Sequence, residues 1–108
     1  MSRRSKLLLG AVAAIALTAG ARAAEVAVDQ HDLRFMPNAV TINAGDSVRF
    51  TDTDRIAHDV TIVNPDGTSV DHGMDYFGQD IVVKFDKAGV YQVRCRIHPD
   101  MKMTVTVK

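Results

Sequence analysis

From Glu25 to Val107 the apolar residues fall in short runs cut by Gly, Pro, Asn and Asp, and none repeats with helical spacing over ten residues or more. Residues 25–29 alternate, residues 33–36 stop at Pro37-Asn38, and residues 39–42 run into Asn43-Ala44-Gly45-Asp46. Residues 47–52 follow, with Val48 and Phe50 on one face. Residues 58–63 end at Asn64-Pro65-Asp66-Gly67, a strong turn signal. Residues 68–78 are the least regular stretch. Residues 81–85, 90–95 and 104–107 complete the set. This spacing predicts an all-β fold, a small antiparallel Greek-key sandwich or barrel with no internal repeat.

The C-terminal part carries the chemistry. The only cysteine, Cys95, stands three residues before His98, which stands three before Met101. Tyr91, Val93 and Cys95 share one face of a strand because side chains alternate with period two, so the thiol is expected to enter the core at the strand's end. His98 and Met101 are expected in the turn that follows. His58, opening a different strand, can approach from a neighbouring loop. Taken singly, each of these residues has an ordinary reading: an inert thiol, a loop histidine, core-filling methionines. Together they form a set of soft sulfur and imidazole donors, which selects copper. Zinc is the competing metal, but it does not favour thioether, and its structural sites use four strong ligands. A c-type haem lacks its Cys-x-x-Cys-His motif.

The N-terminal residues read differently. Arg3, Arg4 and Lys6 precede an apolar run over 7–20, and Ala21-Arg22-Ala23 supplies small residues where a signal peptidase cuts. Residues 1–23 are therefore expected to be a signal peptide and 24–108 one mature domain. The segment Ser2-Arg3-Arg4-Ser5-Lys6-Leu7-Leu8 also resembles a twin-arginine export signal. Excluding Arg3, Arg4, Lys6 and Arg22 leaves nine basic against thirteen acidic residues, a net charge of −4. That balance argues against nucleic-acid binding, which needs clustered Lys and Arg. No stable membrane insertion is expected once the signal is cut. A lone exported cysteine has no internal disulfide partner, and a bound metal would protect its thiol.

The motifs resemble those of the cupredoxins, close to the amicyanin, pseudoazurin and plastocyanin group. Phe35-x-Pro37-x-x-Val40-Thr41-Ile42-x-x-Gly45-Asp46-x-Val48-x-Phe50 resembles the opening strands. Ala57-His58-Asp59-Val60 resembles the first ligand strand, and Ala88-Gly89-x-Tyr91-x-x-x-Cys95-x-x-His98-Pro99-x-Met101 the ligand loop. The resemblance implies one type 1 copper held by His58, Cys95, His98 and an axial Met. Met101 gives the short loop of amicyanin and Met103 the longer spacing of pseudoazurin and plastocyanin; Pro99 directly after His98 favours Met101. It further implies a periplasmic, monomeric electron carrier; an enzyme is not expected, because the chain is short for the extra domain a copper oxidase or nitrite reductase needs and has no second cluster of histidines for a catalytic copper. A redox partner (dehydrogenase, cytochrome or reductase) would dock near His98, over an apolar patch with contributions from Pro99, Met36 or Pro37. In short-loop relatives the second histidine protonates and leaves reduced copper, and the same would hold for His98 at low pH. A copper chaperone or sequestering module fits the same ligands and is the alternative.

Two departures carry expectations of their own. Asp59 and Arg96 stand where the family usually has Asn and Thr or Ser, which suggests an ion pair tying the two ligand loops together. Ile97 stands where many relatives have Pro, which restores a backbone N–H within reach of the Cys95 sulfur. His31 is expected to be solvated. His72 and Met74 are expected in a polar surface loop, with a weak second copper site as the sharper possibility. The aspartates at 52, 54, 66, 71, 75 and 80 read as a solvated rim.

Overall fold

The computed structural model describes residues 22–108, and the signal-peptide assignment over 1–21 lies outside the described residues. Nine strands make up the domain: β1 (Glu25–His31), β2 (Arg34–Met36), β3 (Ala39–Ile42), β4 (Ser47–Asp52), β5 (His58–Val63), β6 (Ser69–Asp75), β7 (Asp80–Lys84), β8 (Gly89–Cys95) and β9 (His98–Val107). They form a four-stranded sheet ordered β2-β1-β4-β7 and a five-stranded sheet ordered β3-β9-β8-β5-β6. The expected sandwich is present. Its sheets are mixed, however, because β1 runs parallel to β4 and β3 parallel to β9. The chain passes from one sheet to the other at β2–β3, β3–β4, β4–β5, β6–β7 and β7–β8, so neighbours in space are often distant in sequence.

Alternation places the core. Val28, Val48, Phe50 and Val83 project from one sheet, and Val60, Ile62, Tyr91, Val93, Val105 and Val107 from the other, all buried. Phe35 meets Phe50 edge to face with centroids 6.0 Å apart, and Phe85 meets Tyr91 likewise at 5.0 Å. Such pairs contribute about 0.5–1.5 kcal/mol beyond their buried area. At the end of the sandwich away from the ligand loop, the Asp46 carboxylate accepts the N–H groups of Ala24 and Asn43, both at 2.9 Å. Gly45, at φ +95°, makes that turn without the strain a side chain would bring.

Two elements differ from the sequence expectation. Residues 69–75 form a strand, β6, at the edge of the larger sheet. Only Asp75 of its seven residues is buried, so the apolar alternation that marks a strand is missing. The second difference is the ligand loop. The turn consists of Arg96 and Ile97 alone, Cys95 faces His98 across it, and His98 and Met101 already belong to β9. A register irregularity between Arg94 and Cys95 lets the hairpin close this tightly.

Candidate metal centre

Three of the expected ligands meet at one end of the sandwich. Cys95 ends β8, His98 begins β9 and His58 begins β5. The ligand atoms of His58, Cys95 and His98 all lie within 4.8 Å of one another. The Cys95 Sγ is 3.4 Å from His98 Nδ1, and the Nδ1 atoms of the two histidines are 3.2 Å apart. The rings stand edge to face, 69° between planes. His58 is wholly buried, Cys95 is 1% exposed, and His98 is only half-buried. The cluster thus has a sealed side at His58 and an open side at His98.

The proton on His58 is assigned by its hydrogen bond. Nε2 lies 2.7 Å from Asp54 Oδ2, and an ionised carboxylate only accepts, so Nε2 is the donor, and in the neutral ring Nδ1 is the nitrogen left with a lone pair. That lone pair points toward His98 and Cys95. Two imidazole nitrogens and one potential thiolate around a common point, closed to water on the His58 side, fit a soft or borderline cation, copper among them. Carboxylate–histidine pairing of this kind also fixes ring orientation.

Met101 and Met103 both point inward on β9 and are 1% and 2% exposed. Met101 lies nearer the Cys95–His98 closure, while Met103 faces Val93 in the ladder, deeper in the core. His31 and His72 stay outside the cluster. His31 is half exposed and shares a 3.1 Å hydrogen bond with Thr53, and His72 is exposed on the edge strand.

The two departures from the family pattern resolve differently from expectation. Arg96 does not pair its guanidinium with Asp59; its Nη1 reaches Asp71, 3.0 Å away on β6. The reason lies in the tight turn: the Arg96 backbone N–H takes Asp59 Oδ1 at 3.3 Å, which leaves the side chain directed outward. Asp59 is buried and also accepts the Thr61 hydroxyl at 2.6 Å. Burial and the neighbouring Asp71 carboxyl raise its pKa. The sulfur's backbone partner is likewise not Ile97. Among the described residues, the N–H that reaches Cys95 Sγ belongs to Asp59, at 3.3 Å.

Nor is the aspartate set a uniform rim. Asp52 is fully buried, Asp75 is 1% exposed, and the Asp54 side chain is 14% exposed, all close to His58. Asp52 Oδ1 stands 4.0 Å from His58 Nε2 and accepts the Asp54 N–H at 2.8 Å. Burial raises the Asp52 carboxyl and pushes Asp75 up to about 6. Asp54 behaves in the opposite sense. Burial opposes its ionisation, but the Leu33 N–H, the His58 ring and the Asp32 N–H together hold it below the ordinary range. Gln30, fully buried, donates from Nε2 to Asp75 Oδ2 at 2.8 Å. No single residue type in the sequence marks this buried polar layer, because aspartates at strand ends usually face solvent.

Known proteins share both the sequence and the shape. The family model for copper binding proteins of the plastocyanin/azurin family matches residues 22–108. A pseudoazurin from Methylorubrum extorquens is 40% identical over 103 residues, covering 87% of this chain and 68% of the relative. A plastocyanin from Ulva prolifera is 32% identical over 90 residues, covering 74% of this chain and 92% of the relative. The structure of an amicyanin mutant in its reduced state superposes with a TM-score of 0.72 at 23% identity, covering 78% of this chain and 82% of that one, which speaks for the fold. With a matching family model, a cupredoxin sandwich and a His-Cys-His cluster of the right donors, this chain belongs to the plastocyanin/azurin family of copper-binding proteins, the cupredoxins.

Proposed function

We propose that the chain is a periplasmic electron carrier in which His58, Cys95, His98 and Met101 hold one copper ion. The observation that carries this reading is the convergence of Cys95 Sγ and the two Nδ1 atoms at a site sealed on the His58 side and open at His98. A copper ion bound there would supply one-electron redox chemistry between Cu(II) and Cu(I). The protein's part is to fix the donors. Cys95 and His58 are buried at the ends of strands packed into the core, so their positions resist rearrangement between oxidation states. The same burial argues against copper delivery, since a donor to another protein has to expose its ligands for exchange.

His98 is the side from which electrons enter and leave. Exposed Met36, Ile97, Pro37 and Pro99 give that end of the molecule an apolar surface for a docked redox partner. Beside it lies a shallow cleft of about 300 Å3 lined by Met36, Pro37, Asp100 and Lys102. In this reading residues 1–23 are removed on export and 24–108 act as a monomer.

The test is to express the full chain with export, measure the intact mass, load it with Cu(II) and record the visible spectrum. Loss of residues 1–23 and intense absorption near the red end, bleached by ascorbate and absent in Cys95→Ser, are the expected results. A colourless protein that binds Cu(I) or Zn(II) tightly would instead point to copper delivery or a structural metal.

A further inference from the structure

Asp54 occupies an unusual crossing point. Its Oδ2 accepts both the His58 Nε2–H at 2.7 Å and the Leu33 N–H at 3.1 Å, and its Oδ1 accepts the Asp32 N–H at 2.8 Å. Asp32 and Leu33 form the two-residue turn between β1 and β2. They are also the non-glycine residues with positive φ among the described residues, at +54° and +59°. Left-handed backbone is disfavoured for an L-residue because its Cβ crowds the following carbonyl. Here both amides so displayed end on one carboxylate, and that carboxylate ends on a histidine of the metal cluster.

The arrangement has a direction. A turn held in this conformation presents two N–H groups at fixed positions, and these orient Asp54. Oriented in this way, Asp54 accepts the ring hydrogen of His58 and leaves Nδ1 aimed at Cys95 and His98. Asp52 braces the same loop by accepting the Asp54 N–H, and Gln30 O accepts the N–H groups of Thr53 and Asp54 at 3.1 and 3.2 Å. The loop between β4 and β5 is thus tied to β1 on both its backbone and its side-chain faces.

We propose that Asp54 is the positioning residue for His58: it fixes the ring's tautomer and direction, and its charge makes the imidazole a stronger donor toward Cu(II). The proposal rests on the copper reading above. Outer carboxylates on a ligand histidine raise its basicity, and their loss typically costs about 10–100-fold in metal affinity. A better donor stabilises the more charged metal state, so removing Asp54 has a definite sign: weaker Cu(II) binding and a higher reduction potential.

The experiment has two arms. In the first, Asp54→Asn is compared with Asp66→Asn, which removes the same charge from the turn at the far end of β5. Asp54→Glu is the conservative variant, since its longer side chain can still meet Nε2–H. Copper affinity about 10–100-fold lower in Asp54→Asn, an upward shift in potential absent from Asp66→Asn, and partial return of both in Asp54→Glu are expected. In the second, nitrogen-15 NMR of the unmutated chain, with Cu(I) and after chelation, is expected to show the His58 hydrogen on Nε2 and slowly exchanging. A hydrogen on Nδ1 after chelation, or an Asp54→Asn shift no larger than that of Asp66→Asn, would overturn the proposal. Failure of the unmutated chain to bind copper would sink the copper reading instead, and the His58 tautomer after chelation would still decide the role of Asp54.

Discussion

The backbone N–H of Asp59 donates to the sulfur of Cys95 across 3.3 Å, so the strand that begins with His58 also reaches the thiol. A hydrogen bond to a thiolate withdraws charge from it and favours reduced copper. Because this donor comes from β5 and not from the turn, Ile97→Pro is expected to leave the reduction potential nearly unchanged. Voltammetry of the variant checks this. A clear fall would mean that the Ile97 N–H also supports the sulfur.

The Arg96 side chain is expected to couple directly to Asp71 and not to Asp59. Double-mutant cycles on the two pairs, read from denaturant unfolding, separate them. The Asp59/Arg96 cycle should show a weaker coupling than the Asp71/Arg96 cycle, relayed through the Asp71 carboxyl, since Asp59 itself is served by the Arg96 backbone N–H and the Thr61 hydroxyl. The Asp71/Arg96 cycle should show a small coupling that shrinks with added salt, because both side chains are largely exposed.

Asp75 predicts a pH dependence. Its carboxyl is held up to about 6 against an ordinary 3.8, burial being the main cause. The folded chain therefore keeps this proton at a pH where the unfolded chain has released it. The neutral form stabilises the fold fully below pH 3.8, and that contribution is lost as pH rises through about 6. Several exposed aspartates have lowered pKa values and act in the opposite sense, so the informative quantity is a difference. The stability gap between Asp75→Asn and the unmutated chain, followed in chelated protein, should move in favour of the variant as pH rises from 4 to 7. A gap independent of pH would show that Asp75 titrates normally.

The two methionines are separable by one isosteric change at each. Leucine conserves volume, so Met101→Leu and Met103→Leu should each cost less than about 1.5 kcal/mol of stability. Met101→Leu removes the thioether proposed as axial ligand and should raise the potential and alter the visible spectrum. Met103→Leu should change neither. The reverse outcome would give the axial place to Met103. Truncation of Met103 to alanine, in contrast, should cost about 2–5 kcal/mol through the cavity it leaves.

What the chain discloses before folding follows from where its information is local. Strands with one face in the core, such as β4 and β8, are legible because burial alternates along them. The cluster of Cys95, His98 and His58 is legible from the donor set. The β6 strand is not, because an exposed edge imposes no pattern on its residues. The turn after Cys95 is tighter than its sequence suggests, since the irregularity that closes it is a property of the pairing between β8 and β9. Asp54 and Asp75 escape notice for a similar reason. Their burial comes from β1 and from the opposite sheet, and an aspartate at a strand end looks the same whether water or another strand lies beyond it.

The parallel pairing of β3 with β9 sets Ala39 beside Thr104, so the strand carrying His98 and Met101 is anchored by one from the first half of the chain. Such a ladder is absent until a long loop closes, and topologies rich in these pairings fold slowly, on the order of milliseconds to seconds. Throughout that interval the Cys95 thiol is not yet enclosed by the core, and if the chain is exported as proposed it is open to oxidants and to stray metals. The race between ladder closure and thiol chemistry therefore decides how much of each batch of newly made protein reaches a competent state, and a reductant present during folding should raise that yield more than one added afterwards.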